Sequence, residues 1–360
     1  MSELLDDLRS LVEIESPSHD VPALTASATA LAELIERRLG TAAELVDGPA
    51  GPHVVWRGGG EPRVLLVGHH DTVFPLGTLS ARPFTVADGR ATGPGVFDMK
   101  AGLVIAIHAV VALPDRTGVE LFVNCDEEVG SATSRQLIEE RAAACGAALV
   151  LEPAADGALK IGRKGTGTFE VVVRGRAAHA GLEPERGVNA LVEAAHQVLA
   201  IAALADPSRG TTVTPTVVHA GTADNVVPAE ARIRVDVRVI EPAEGTRLEV
   251  AMVALIPVDP EVTLEVFGSV GRPPMPESAT ADLFALVSKV AAELGLPEPR
   301  GVAVGGGSDG NFTAAVGVPT LDGLGATGAG AHADHEHVLV DELPDRVRLV
   351  SGLVHALQNR

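Results

Sequence analysis

A chain of 360 residues with 46% apolar content can bury a sizeable core and exceeds what one compact domain needs, so two domains are expected. Lysine and arginine number 28 against 48 aspartates and glutamates, and the formal charge of -20 repels phosphate backbones and anionic headgroups, which argues against nucleic-acid and membrane partners. Tyrosine is absent, Trp56 is the one tryptophan and the two cysteines, Cys125 and Cys145, lack metal-motif spacing, so nearly all proton chemistry falls to His, Asp, Glu or Lys. The segment Met1 to Asp7 is acidic and helical in pattern, with no basic start or apolar stretch of signal type. No later stretch runs long enough without charge to span a bilayer, and a cytoplasmic protein with reduced cysteines is expected.

Apolar positions at helical spacing predict helices over residues 3 to 13 and 23 to 39, while Val64 to Val67 and Glu120 to Val123 read as buried strands. Helical patterns follow Lys100, over Ala101 to Val111, and Gly130, over Ser131 to Ala144, before a third apolar run from Ala147 to Leu151. This alternation predicts an α/β layer with a mostly parallel sheet and helices on both faces. From about residue 165 to 273 the order changes to strand (168 to 174), helix (188 to 203), two strands (212 to 219 and 232 to 239), helix (246 to 255) and strand (262 to 266). That β-α-β-β-α-β order is ferredoxin-like α+β and reads as an insertion. After Pro273, Pro274 and Pro276 the first pattern resumes with a helix over 281 to 294 and strands near 301 to 304 and 318 to 321. The expected division is therefore a split domain of residues 1–164 and 274–360 around an insert of residues 165–273.

Five short segments carry the chemistry. In His69-His70-Asp71 an extended strand end turns His69 and Asp71 the same way, His70 being a bystander, so an imidazole that ligates with one nitrogen can offer its other N–H to Asp71. A polar turn is the competing account. Asp98, after the glycine-rich turn Gly93-Pro94-Gly95, is a candidate carboxylate bridge between two metals, or else a helix cap. Asp126-Glu127-Glu128 follows a buried strand, and three adjacent carboxylates repel unless cations are present, unless the segment is merely a solvated acidic loop. Glu152 ends an apolar strand that has no other charge, where a ligated metal or a structural Lys or Arg would offset its burial. The cluster His332 to His337 reads as metal binding or as a polar loop. Three of the five segments fall at carboxyl ends of strands, the edge at which open α/β sheets bind ligands.

The motifs H-x-D-T-V (69 to 73), G-P-G-x-x-D-M-K (93 to 100), D-E-E-x-G-S (126 to 131), Glu152-Pro153, G-x-x-x-H-A-G (175 to 181), G-T-x-x-N-V-V-P (221 to 228) and H-x-x-x-E (332 to 336) occur in order over nearly the whole chain. Together they resemble the zinc aminoacylase and carboxypeptidase G family, which includes acetylornithine deacetylase and succinyl-diaminopimelate desuccinylase, and look most like its carboxypeptidase G branch, the glutamate carboxypeptidases. The resemblance implies two Zn2+ per subunit, with Co2+ or Mn2+ able to occupy the same ligands. It assigns one ion to His69, Asp98 and Glu152 and the other to Asp98, Glu128 and His332, with Asp71 orienting His69. Glu127 corresponds to the general base for a metal-bridging hydroxide that attacks an amide carbonyl.

His179 corresponds to a lid-domain histidine that reaches the partner subunit's active site, which implies a homodimer with lid closure. Asn225 matches a residue that contacts substrate across that dimer, and Arg238 and Arg272 align with lid arginines that recognise a free carboxylate. Lys160 is a further candidate for substrate contact, and Gly306, Gly307 and Ser308 lie in a glycine-rich run whose backbone N–H groups suit an anion. A loop histidine, a turn asparagine and surface ion pairs are the ordinary alternatives. The implied substrate is a small N-acyl amino acid or short peptide with a free carboxylate. Alternatives are a small-molecule N-acyl amino acid deacylase, a two-zinc aminopeptidase and a catalytically silent metal-dependent binding protein, the last disfavoured by an intact Glu127. Asn311 stands where desuccinylases carry arginine, and acetylornithine deacetylases carry a different acidic motif there, so both of those substrate types fit less well.

Overall fold

The computed structural model describes residues 1–360, which divide into two compact units. The first contains residues 1–162, 276–304 and 308–360. Its central six-stranded sheet runs, edge to edge, Glu44–Val46, His53–Arg57, Val119–Asn124, Val64–His69, Ala147–Val150 and Thr320–Leu321. The first two pairings are antiparallel and the other three parallel.

Every residue of Val64–His69, Val119–Asn124 and Ala147–Val150 is buried, as expected of parallel strands covered on both faces. Successive side chains enter different cores. Val64, Leu66, Leu121 and Leu149 pack with helices Ser2–Val12, Val21–Leu39, Ala101–Val111 and Leu343–Gln358, whereas Leu65, Val67, Phe122 and Val150 pack with Ile138, Ala142 and Phe312 on the other side. Each such Leu, Val or Phe contributes roughly 1.5–3 kcal/mol of burial.

Local chemistry sets the helix ends. Val21–Leu39 starts where the Asp20 side chain accepts the Ala23 N–H at 3.0 Å and stops at Gly40, whose φ of 76° suits glycine. Ala101–Val111 is apolar on all sides except at His108 and is buried accordingly. A Cβ at Gly102 would lie 2.1 Å from the Leu151 carbonyl oxygen, so only glycine lets this helix approach the strand end that carries Glu152. The helix expected from Ser131 begins instead at Arg135, because Thr133 and Ser134 spend their side chains on Asp126.

Strand Gly301–Val304 leaves the central sheet and pairs with Leu159–Arg163 in a separate two-stranded ribbon. Its alternating half-exposed pattern explains this, since a central parallel strand is buried on both faces. A further four-stranded sheet, Gly328–Ala329, His337–Leu339, Arg90–Thr92 and Thr85–Ala87, supports the loop that holds His332. No helix is long and apolar enough to cross a membrane.

The second unit contains residues 163–275 and 305–307. Strands Thr212–Ala220, Glu230–Val239, Gly165–Arg174 and Thr263–Arg272 form, in that order, an antiparallel sheet. Helices Ala190–Ala202 and Pro242–Val253 complete the β-α-β-β-α-β sequence. Phe169, Val171 and Val173 alternate along one strand and Ile233, Val235 and Val237 along the next, all facing Ala194, Ile201, Leu248 and Met252 of the helices.

Candidate metal centre

His69 ends its strand fully buried, with Nδ1 3.0 Å from the Asp71 carbonyl oxygen and 3.3 Å from Asp71 Oδ1. The carbonyl and one carboxylate oxygen of the expected orienting residue thus face that nitrogen, the backbone one being nearer. Nε2 then points at Asp98 Oδ1, 3.3 Å away, and Glu152 Oε1, 3.5 Å away. Asp71 is itself fixed: Ser18 Oγ donates to Oδ2 at 2.7 Å, and the Glu127 and Glu128 amides donate at 3.2 Å. One carboxylate therefore ties the histidine to the acidic turn.

Asp98 lies beyond Gly93 and Gly95, which have φ of 149° and 71°, and its peptide bond to Met99 is cis. A Cβ at Gly95 would come within 2.5 Å of Thr72 Cγ2. The second Asp98 oxygen, Oδ2, faces His332 Nε2 at 3.4 Å, so one carboxylate presents an oxygen to each of two imidazoles. His332 Nε2 also lies 3.0 Å from Glu128 Oε2, and its backbone φ of 62° aims the ring from an otherwise exposed loop. His337 turns toward the His335 carbonyl, and neither histidine joins a group of candidate metal ligands. Glu127, beside Glu128, offers an oxygen within 4.8 Å of ligand atoms of His69 and Glu152. His69, Asp98 and Glu128 converge within the same limit. Lys160 Nζ stands 3.6 Å from Glu152 Oε2 and is the lysine partner that the burial of Glu152 calls for.

The electrostatics are those of a site built for cations. Burial alone would lower the His69 pKa, yet Asp71, Asp98 and Glu152 raise it well above the ordinary imidazole value. Hydrogen bonds to Asp98 and Glu128 raise His332 to about 10. Burial raises Glu128, with Asp98 adding to the effect, while the two histidines hold Asp98 well below the usual carboxylate range against its own burial. Protons on the imidazoles, together with Lys160, are thus the positive charge that offsets the carboxylates. Glu128 Oε1 is buried without any partner, a vacant acceptor lone pair that a divalent cation fits. The donor set of imidazole nitrogens and carboxylate oxygens suits zinc, manganese or cobalt.

Glu336 closes the H-x-x-x-E motif, whose spacing alone assigns it no role. Its carboxylate accepts the N–H groups of Gly95, Phe97 and Asp98 at 2.8 to 2.9 Å, clamping the turn that carries Asp98 to the loop that carries His332. Burial raises its pKa to about 7 against the pull of those amides. Asp126, first of the three adjacent acids, accepts from Thr133 and Ser134 and is structural. The buried Asp309 accepts from Asn124 and Ser131 and braces the same turn.

His179, Asn225, Arg238 and Arg272 belong to the second unit. His179 is exposed, and its Nδ1 accepts the amides of Gly181 and Leu182 at 3.1 Å, which leaves Nε2 as the protonated, outward donor. Asn225 is exposed and its carbonyl accepts the Ala180 N–H. Arg238 forks onto Asp236, at 2.9 and 3.0 Å, and Arg272 is buried. The Gly306 and Gly307 carbonyls accept from Arg163, at 3.1 and 3.0 Å. Ser308 is buried, its hydroxyl donating to Asp322 and its amide to Asn311, so both groups serve the fold.

The model for Peptidase family M20/M25/M40 matches residues 65–356. Carboxypeptidase G2 of Pseudomonas sp. (strain RS-16) is 33% identical over 377 aligned positions, covering 98% of this chain and 88% of that protein. Succinyl-diaminopimelate desuccinylase of Stenotrophomonas maltophilia (strain R551-3) is 30% identical over 324 positions, covering 83% of this chain and 85% of its own. An M20 family metallo-carboxypeptidase from Sulfolobus solfataricus shares the fold, with a TM-score of 0.81 at 17% identity over 100% of both chains. These matches agree with the resemblance carried by the seven motifs.

Proposed function

Since the chain belongs to peptidase family M20/M25/M40, we propose that it is a two-metal hydrolase that cleaves an amide or peptide bond next to a free carboxylate, with carboxypeptidase G-like preference. The observation that carries this reading is Asp98, whose two oxygens face His69 on one side and His332 on the other, next to the partnerless buried Glu128 Oε1. His69, Asp98 and Glu152 would hold one ion, and Asp98, Glu128 and His332 the other. When bound, two zinc ions, or cobalt or manganese in their place, acidify a water and polarise a carbonyl.

This chain's own residues supply the rest. Glu127 accepts the proton of the attacking water and returns it to the leaving nitrogen, a task suited to a carboxylate near the ligands but outside both sets. Asp71 keeps His69 in one tautomer and orientation. The Nε2 proton of His179 is the donor proposed for the developing oxyanion, supplied to the site of a partner subunit in a homodimer, with Asn225 contacting substrate there. Arg238 and Arg272 are assigned the substrate carboxylate.

Two relatives bear on the substrate. Near-full-length similarity to carboxypeptidase G2 favours an N-acyl or peptidyl amino acid. Asn311, where desuccinylases carry arginine, is fully buried and uncharged, so it offers a second substrate carboxylate no ion-pair partner. The test is Glu127→Gln. Zinc content measured by metal analysis should stay at two per chain while kcat falls about 10²–10⁴-fold. Near-normal turnover would remove Glu127 as the base.

A further inference from the structure

A cavity of ≈ 630 Å³ in the first unit is lined by residues 296–300 and by the start of helix Leu343–Gln358, and contains none of the metal-centre residues. Its volume lies within the usual range for small-molecule sites. Arg346 lines it at 8% exposure, and its guanidinium makes one long hydrogen bond, 3.5 Å to the Gly157 carbonyl, with no carboxylate in ion-pair contact. A buried guanidinium with its donors so little used is uncommon. Burial pulls its pKa down to about 10, against the field of Glu342. Thr327 Oγ1, in the same lining, is buried and has no partner at all. Leu296, Leu339 and Leu349 supply apolar surface to the same lining.

The rim carries a net opposite charge. Asp156, Glu298 and Glu342 line the cavity and are exposed, with no salt bridge among them, whereas Asp345 is paired with Arg348 at 2.9 Å; the one exposed cation of the lining, Arg300, donates to the Asp156 carbonyl. A simple anion would satisfy Arg346 but meet three exposed carboxylates against the single exposed arginine, Arg300, and a simple cation would leave Arg346 and Thr327 unpaired. A molecule bearing both charges on one carbon satisfies both ends. We propose that this cavity is a second ligand site, separate from the metal centre, that takes a free apolar α-amino acid: the carboxylate on Arg346 and Thr327, the ammonium toward the rim acids, and the side chain on the leucines.

Calorimetric titration of the metal-loaded full chain with L-leucine, L-leucinamide and 4-methylpentanoate tests this. Leucine should bind saturably at one site, and loss of either charge should weaken binding about tenfold or more. Arg346→Met should abolish leucine binding and Thr327→Val should weaken it about fivefold, both with hydrolytic kcat unchanged and melting temperature retained. The Thr327→Val titration decides the matter should Arg346→Met fail to fold. Absence of saturable leucine binding up to about 10 mM, leucinamide binding as well as leucine, or variants that titrate like the wild type would overturn the proposal. Because the readout is binding, it stands or falls independently of whether the metal centre hydrolyses amides.

Discussion

Asp98 faces two imidazoles, and around it Glu127, Glu128 and Glu152 crowd into the same few ångströms. Like charges at that spacing are tolerated only with compensating positive charge, which without metal is supplied by protons on His69 and His332 together with Lys160 beside Glu152. The consequence for pH has a definite sign. The His332 pKa is raised in the folded state, from 6.5 to about 10, so its contribution to stability is fully present below pH 6.5 and is lost as pH rises toward 10. Its size is reduced by solvent, since the side chain is 52% exposed. Metal-free protein should therefore melt progressively lower between those pH values, and His332→Gln should lack that part of the decline. Melting curves recorded in chelator across the range, for both proteins, check it. Parallel curves would contradict the coupling. The ligand residue types were legible in the sequence because each sits in a short ordered motif. Glu336 was not, because its work is to accept three backbone N–H groups, and backbone partners leave no trace in residue spacing.

At the scale of elements, the strand ends bring His69, the Glu127-Glu128 turn and Glu152 together. Apolar runs made those strands readable: burial on both faces leaves Val64 to Val67, Leu121 to Val123 and Ala147 to Val150 without a polar side chain. Shorter pieces escaped. Thr85–Ala87, Arg90–Thr92, Gly328–Ala329 and His337–Leu339 have two or three residues each, too few to display a period, yet their sheet supports the His332 loop. Gly301–Val304 was readable as a strand but not as a partner of Leu159–Arg163, since pairing depends on contacts remote in sequence. The link from this sheet to the Gly93–Gly95 turn is Glu336, and it is testable. Glu336→Gln keeps the volume but replaces one accepting oxygen by a donor, leaving a turn amide unsatisfied. Zinc affinity, measured by competition with a chromophoric chelator, should fall about 10–100-fold while the fold survives. Unchanged affinity would mean that the turn holds Asp98 without it.

For the whole molecule, the second unit carries the groups assigned to substrate, and His179 the group assigned to the oxyanion of a partner subunit's site. Sedimentation should find a dimer, and His179→Ala should lower kcat about 10²–10³-fold with metal content intact. A fully active monomer would remove that role. Such a role cannot be read from one chain's spacing, because the partner surface is not in the sequence pattern; it rests on the motif Gly175 to Gly181. The ferredoxin-like order itself was readable, from period-two strands such as Phe169, Val171 and Val173 alternating with helical stretches. The most direct test of the central claim is hydrolysis, by zinc-reconstituted full-length protein, of N-acyl-glutamate and dipeptide substrates compared with their carboxyl-terminal amides. The account predicts turnover that chelator abolishes and zinc restores, with kcat/KM about 100-fold higher for the free acids than for the amides. Metal-independent turnover, or equal kcat/KM for acid and amide, would contradict it.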